Sequence, residues 1–126
     1  MKIIQTIFLG IILAISSSAF ADYKSLGLNA QGSEIFYDPD SIVRDRNAVR
    51  VWIYINFKEQ VEEAKSIRAL RKIDCKNRTT ENLDVAIFPK LDIEGKYLDS
   101  WQPKPETTYI APDTMDDVLL QTVCLK

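Results

Sequence analysis

Apolar and polar side chains alternate without a break from residue 49 to residue 57, and this pattern predicts a β-strand. One face of the predicted strand carries Val49, Val51, Ile53, Ile55 and Phe57, and the other carries Arg50, Trp52, Tyr54 and Asn56. A period of two with β-branched and aromatic side chains is typical of a strand inside a sheet. Because Trp52 and Tyr54 stand on the more polar face, we expect a loop or helix to cover them. An exposed aromatic pair is the alternative.

Shorter segments with the same period predict further strands. They are residues 34–37, 41–44, 83–88 and 93–101, and each borders on a proline or a charged turn. Residues 66–75 fit the period of a strand and that of a helix, so periodicity leaves this segment open. Residues 58–65 are mostly charged, and we expect them to form an exposed connection.

The period changes near the end of the chain, where the sequence predicts a helix. Residues 112–114, Pro-Asp-Thr, offer an N-cap, and Asp116 and Asp117 follow in the first turn, where acidic groups favour the helix dipole. Apolar residues then recur at helical spacing up to Cys124, so one helix face can pack on a sheet. We therefore predict an α+β fold, a small antiparallel sheet of about five to six strands with a C-terminal helix packed on it.

The first 21 residues have the pattern of a cleavable signal peptide. Lys2 is followed by an apolar run over residues 3–15 and by Ala-Phe-Ala at residues 19–21. The apolar run is shorter than the roughly 20 residues of a membrane-spanning helix, which disfavours the alternative of an uncleaved anchor. We expect an exported chain with one domain over residues 22–126 and without a transmembrane segment. No cysteine stands at the cleavage point, so no lipid anchor is expected.

Two cysteines, Cys75 and Cys124, are the only ones in the chain. In an exported protein, an even number of cysteines predicts a disulfide, and a free reactive thiol is the less favoured alternative. The predicted bridge would attach the C-terminal helix to the segment that ends at Cys75.

Catalytic chemistry has few candidates in this sequence. The chain contains no histidine, which excludes Ser-His-Asp and Cys-His systems and histidine-ligated metals. Asp38 and Asp40 have the spacing of a phosphotransferase nucleophile loop, but that fold needs parallel crossovers that this short chain cannot supply. Ile42 stands where a calcium loop needs an acid or amide. Hydrolysis of a glycan by two carboxylates remains an alternative, although no spacing in the sequence singles out such a pair.

We therefore interpret Asp38, Pro39, Asp40 and Ser41 as a structural turn. Proline after aspartate presets a turn, and the Asp38 carboxylate can accept hydrogen bonds from the backbone N–H groups of that turn. No enzyme activity, cofactor or metal is expected.

Charge is unevenly distributed. Residues 44–78 contain ten Lys or Arg against five Asp or Glu, whereas residues 22–43 and 79–126 are acidic. Either the flanks fold back and neutralise the middle, or the middle forms a basic face that holds acidic partners.

Four stretches together resemble the surface-adhesin protein E domain of Gram-negative bacteria. They are FYDPDSIVRDRNAVRVWIYINF, SIRALRKIDCKNRT, GKYLDSW and YIAPDTMDDVLLQTVC, in the family's order, and they include Val51-Trp52, Asp74-Cys75, Trp101 and Val123-Cys124. The resemblance implies a small antiparallel sheet, a strand at residues 66–73, a C-terminal helix and the disulfide. It also implies a surface protein that binds host proteins such as laminin and vitronectin. Where the family's turn usually has glycine this chain has Arg46, so we expect Asn47 to adopt any left-handed conformation there.

The sequence supports one preferred function and two alternatives. The preferred one is an exported, non-enzymatic binding module of the cell envelope, adhesin E-like, that contacts host matrix or serum proteins or acidic glycans and not nucleic acid. The alternatives are a periplasmic structural or assembly factor with no host ligand, and a small inhibitor of an envelope-directed hydrolase. The candidate binding residues are Arg44, Arg46, Arg50, Trp52, Tyr54, Arg68 and Arg71.

Overall fold

The structure, a computed structural model, describes residues 22–125, and the predicted signal peptide at residues 1–21 lies outside them. These residues form one antiparallel sheet and one helix. The strands are β1 Lys24–Leu28, β2 Glu34–Tyr37, β3 Val43–Asp45, β4 Ala48–Val61, β5 Ala64–Asp74, β6 Thr79–Phe88, β7 Asp99–Trp101 and β8 Thr108–Tyr109, and the helix is α1 Met115–Cys124. The predicted α+β plan is confirmed, with eight strands instead of five to six.

The strand order follows the chain closely. The main path is β1-β2-β4-β5-β6-β7, with β3 paired to β4 and β8 paired to β6. All seven pairings among residues 22–125 are antiparallel. The long strands β4, β5 and β6 are therefore the centre of the sheet. Alternation in the sequence predicted β4 and part of β6, and the family resemblance implied β5.

Some predicted boundaries are wrong. Residues 58–65 are exposed as expected, apart from Ala64, but most of them belong to the sheet, because β4 and β5 continue on either side of a tight turn at Glu62 and Glu63. Backbone ladder bonds do not require apolar side chains, so these charged residues extend the hairpin into solvent. Residues 41–44 divide between a single 3₁₀ turn at Pro39–Ser41 and β3. Of residues 93–101, only β7 is a strand.

The hairpin turn between β3 and β4 corrects a second expectation. Arg46, rather than Asn47, has the left-handed backbone, with φ of 59°. Arg46 and Asn47 are both exposed, so the arginine side chain at this turn points largely into solvent. A left-handed residue other than glycine carries backbone strain, and at this exposed turn no unfavourable packing energy is added to that strain.

The helix covers one face of the sheet and forms the core there. Leu119, Leu120 and Val123 of the helix are buried against the sheet. The rest of the core comes from alternate strand positions and one loop residue: Tyr37, Val49, Val51, Ile53, Ala69, Ile73, Val85 and Ile110. Burying an aliphatic side chain of this size contributes about 1.5–3 kcal/mol. We call this the helix face, and the opposite side of the sheet the open face.

Both ends of the helix are attached to the turn between β5 and β6. Cys75 forms the predicted disulfide with Cys124. At the other end, Arg78 in the same turn donates to the Asp117 carboxylate at 2.7 Å. Thr114 caps the helix by accepting from the Asp117 backbone N–H. The short helix is therefore held at its first and last turns by contacts more than 30 residues away in the chain.

Reduction of the disulfide should lower stability strongly. The bridge closes a loop with a sequence separation of 49, which constrains the unfolded chain by about 4 kcal/mol. We expect the melting temperature, measured by circular dichroism with and without reductant, to fall by more than about 10 °C. Mass spectrometry of the oxidised protein should find no free thiol, and two free thiols would contradict the assignment.

Asp117→Asn should destabilise the protein in a pH-dependent way. The Arg78 hydrogen bond, with further donors, lowers the pKa of Asp117. A lowered folded pKa adds stability that is complete above the unfolded value of about 3.9 and is lost as pH falls through the folded pKa. The difference in melting temperature between wild type and variant should be large at pH 7 and should shrink below about pH 4. Asp45→Asn, at an exposed residue, is the control, and a pH-independent difference for Asp117→Asn would contradict the ion-pair role.

Candidate functional site

The open face gathers four of the seven residues proposed from the sequence. In the register of β4 with β5, Tyr54 lies opposite Arg68 and Arg50 lies opposite Lys72. Directly opposed residues of an antiparallel pair share a face, so Arg50, Trp52, Tyr54 and Arg68 all point away from the helix.

The other three residues lie elsewhere. Arg71 opposes Val51 on the helix face, where its guanidinium donates to Asp116 at 2.8 Å and to Asn82 at 3.1 Å. Arg44 opposes Val49, also on the helix side, and Arg46 is in the exposed turn. The seven residues therefore do not form one surface, because side chains three apart on one strand, such as Arg68 and Arg71, point in opposite directions.

Tyr54 is covered, as we expected from the sequence. Phe36 stacks on its ring at a centroid distance of 4.4 Å, and Tyr23 meets it edge-on at 4.8 Å. Only 8% of Tyr54 is exposed, and its hydroxyl group donates to the Asp92 carboxylate at 3.2 Å. Burial, followed by the negative charge of Asp92, raises the pKa of Tyr54, so the phenol stays a protonated donor. Tyr54 is thus a support for the open face and not a contact surface.

Trp52 is only half-buried, and Arg68 lies over it. The guanidinium carbon of Arg68 is 5.2 Å from the Trp52 ring centroid and 5.5 Å from the Phe88 ring centroid. Aromatic faces attract a cation at such distances, and a guanidinium is weakly hydrated enough to accept this position. Phe88 was not among the residues proposed from the sequence. No local sequence signal identifies it, because its position beside Arg68 depends on the register of β5 with β6.

Arg68 has no acidic partner among residues 22–125. None of their carboxylates lies within 4.0 Å of its nitrogens, whereas Arg71 and Arg78 each have one. Its Nε is buried and has no hydrogen-bond acceptor in the same part of the chain. The guanidinium is therefore positioned by two aromatic rings, and its terminal Nη groups are left for another group.

A shallow groove opens beside this guanidinium. Tyr23, Asp38, Trp52 and Arg68 line it, and its volume is about 310 Å³. We call it the Arg68 groove. It contains one cationic group, one carboxylate, one phenol and one indole, which is a set suited to holding a small polar and aromatic part of a partner.

The Asp38 turn fixes one wall of the groove. The Asp38 carboxylate accepts from the Asp40 backbone N–H at 3.0 Å, and the Ser41 hydroxyl donates to the Asp38 carbonyl at 2.7 Å. The Trp52 backbone N–H in turn donates to the Ser41 hydroxyl at 2.9 Å. Pro39 presets the backbone between them. The turn therefore holds Asp38 and Trp52 in a defined position relative to each other.

A strained loop covers the neighbouring part of the open face. Asp92 and Ile93 have φ of 60° and 48°, left-handed values that cost on the order of 1–3 kcal/mol each for residues other than glycine. The Asn56 side chain pairs with Asp92 twice, at 2.8 Å in each direction. The buried Ser66 hydroxyl accepts from the Ile93 N–H at 3.0 Å. These polar contacts hold the loop on β4 and β5, and sequence spacing gave no sign of them.

Asn56→Ala should loosen this loop without unfolding the sheet. The variant removes both hydrogen bonds between Asn56 and Asp92, each worth about 0.5–1.5 kcal/mol, so amide exchange at Asp92 should accelerate roughly five- to a hundredfold. Hydrogen exchange followed by NMR measures this at single residues. Asn47→Ala, in the exposed β3–β4 turn, is the matched control and should leave the Asp92 amide unchanged. Equal exchange in both variants would show that Asn56 does not hold the loop.

Comparison with known proteins agrees with this architecture. The family model described as Surface-adhesin protein E matches residues 23–125. A crystal structure of Haemophilus influenzae protein E superposes with a TM-score of 0.63 at 17% identity, covering 86% of this chain and 91% of that one. A protein E structure from non-typeable Haemophilus influenzae gives 0.60 at 19% identity, covering 86% and 79%. No curated protein sequence matches. At these identities the solved structures show the shared fold alone.

Proposed function

The chain belongs to the surface-adhesin protein E family, and from its open face we propose that it is a non-enzymatic binding module of the cell envelope. Its proposed partners are host matrix or serum proteins, held at the Arg68 groove, or acidic glycans, held by the surface around the groove. Family membership supports exposure at the cell surface.

The observation that carries the proposal is the position of Arg68. Arg68 lines the groove and has no acidic partner among residues 22–125, so its terminal Nη groups are left to pair with a carboxylate of a partner. Arginine and tryptophan are also the residues that most often dominate binding energy at protein interfaces. Trp52 and Arg68 are in contact here and partly open to solvent.

The available side chains also favour binding over catalysis. The sequence has no histidine, and both cysteines are joined to each other. An imidazole or thiol nucleophile or base is therefore not present in the chain. The guanidinium, indole and phenol of the Arg68 groove recognise partners by charge and stacking instead.

The described part of the chain has no helix long and apolar enough to cross a membrane.

We expect the oxidised protein, residues 22–126, to bind laminin, vitronectin or heparin saturably in a solid-phase assay at about 0.15 M salt and more weakly as salt rises. Arg68→Gln should weaken binding to laminin or vitronectin at least about tenfold, since a hydrogen bond to a charged group contributes about 1.5–3 kcal/mol. The control is Arg44→Gln, which removes the same charge from an exposed residue away from the open face and should have little effect.

Two outcomes would contradict this proposal. Absence of saturable binding to all three ligands at physiological salt would remove the adhesin function. Resistance of the protein to protease added to intact cells, under conditions that degrade a known surface protein, would favour a periplasmic structural or assembly factor. If Arg68→Gln and Arg44→Gln behave alike, binding occurs on another surface.

A further inference from the structure

We propose that the Arg68 groove takes an acidic peptide segment, with one carboxylate on Arg68 and backbone N–H groups toward Asp38, and does not take a sulfated glycan. This inference rests on the proposed function, because it names the partner class of the same face.

Arg68 provides a single, directed site for a carboxylate. Its guanidinium lies between the Trp52 and Phe88 rings at 5.2 and 5.5 Å, so its plane cannot turn freely. A fixed planar fork of N–H donors matches the two oxygens of one carboxylate. Because Nε is buried and none of the carboxylates in residues 22–125 pairs with Arg68, the two terminal Nη groups are the donors left for an aspartate or glutamate side chain of a partner.

Asp38 makes the same groove unfavourable for a polyanion. Its side chain is largely buried, and within residues 22–125 its Oδ1 accepts only the Asp40 N–H. Asp38 and Arg68 line one groove, so the local charges balance. A sulfated glycan is held by several neighbouring cations and would bring sulfates toward this carboxylate, where like charges repel. A peptide backbone offers N–H donors to the same oxygen.

The remaining walls suit an amphipathic peptide. Trp52 presents a half-buried indole on which an aromatic or aliphatic side chain can stack. Burial, with the nearby Asp38 charge, raises the pKa of the Tyr23 phenol, so this group remains a hydrogen-bond donor near neutral pH. Tyr23 can therefore donate to a peptide carbonyl. A few residues of an acidic peptide provide all the groups that this groove can bind. They are one carboxylate, backbone N–H donors, a carbonyl and an apolar side chain.

An NMR titration tests the inference directly. The ¹⁵N-labelled oxidised protein is titrated with the peptide Ac-Gly-Asp-Phe-Glu-Gly-NH₂, with its amide analogue Ac-Gly-Asn-Phe-Gln-Gly-NH₂, and with a heparin hexasaccharide. We expect the acidic peptide to shift the Trp52 indole and the Arg68 Nε–H signals, and the other two ligands to leave them in place. The Trp101 indole is an internal control, because Trp101 is on β7, opposite Val85 of the helix face.

Three variants make the test specific. Arg68→Gln should abolish the Trp52 response, and Lys65→Gln, at an exposed residue of the same strand outside the groove lining, should preserve it. Arg68→Lys keeps the charge but loses the fork, so the affinity should fall about fivefold or more. It also serves if Arg68→Gln fails to fold, which a poorly dispersed spectrum would reveal.

The inference is overturned if the hexasaccharide shifts the groove signals as strongly as the acidic peptide does, or if the amide analogue does so. It is also overturned if no ligand shifts them up to about 10 mM, a concentration above the millimolar dissociation constants of weak contacts. These peptides contain no host protein, so the result is separable from the proposed function. Loss of host-protein binding with an intact peptide response would refute the adhesin role alone. The reverse pattern would refute the peptide groove alone.

Discussion

A single helix of ten residues cannot cover both faces of this sheet, and the rest of the structure follows from that constraint. The helix buries the aliphatic positions of β4 and β5, so the opposite positions of the same strands must be stabilised in another way. They are occupied by an aromatic cluster around Tyr54, by Arg68 between two rings, and by the loop at Asp92. The open face is therefore a second, partly polar packing layer, and its incomplete cover is what leaves Trp52 and Arg68 accessible.

The contacts that hold the helix are concentrated on one short turn. Cys75 and Arg78, three residues apart, reach the last and first turns of the helix through the disulfide and the Asp117 ion pair. A ten-residue helix is too short to be stable alone in water, so it depends on these attachments and on its buried face. Because the turn follows β5 directly, the same attachments also fix the central strand that carries Arg68 on its other side. Stability of the helix face and geometry of the open face are in this way connected through one strand.

The positions of the charged side chains in the sheet explain the uneven charge distribution of the sequence. The basic middle of the sequence is divided between the two faces, and part of it is neutralised by the acidic C-terminal segment, as in Arg71 with Asp116 and Arg78 with Asp117. Neutralisation by the acidic flank therefore applies to Arg71 and Arg78, and a basic face that holds acidic partners stays a prediction. Arg68 differs from these two because aromatic rings rather than carboxylates position it. A partner would for that reason meet one directed cation beside a carboxylate, rather than a broad basic surface.

Local pattern was sufficient for several elements. Alternation located β4, capping residues and acidic side chains located the start of α1, and the presence of only two cysteines left one intramolecular disulfide to form. The side-chain period and the N-cap act between residues that are close in the sequence. The number of cysteines restricts the disulfide wherever the two cysteines lie in the chain. The opposite orientation of Arg68 and Arg71 was also readable by parity, but only once residues 66–75 were known to be a strand.

The sequence by itself determined the class of fold, the order of its main elements and the bridge between Cys75 and Cys124. Only the tertiary structure decided which side chains share the open face, because that depends on the register of β4 with β5 and of β5 with β6. It alone joined Asn56 to Asp92 and Arg78 to Asp117, residues more than 30 positions apart. Such contacts form when the sheet as a whole settles its register, and no local propensity of either residue encodes them. The Arg68 groove is a product of that register, in which Asp38, Trp52 and Arg68 come from three separate parts of the chain.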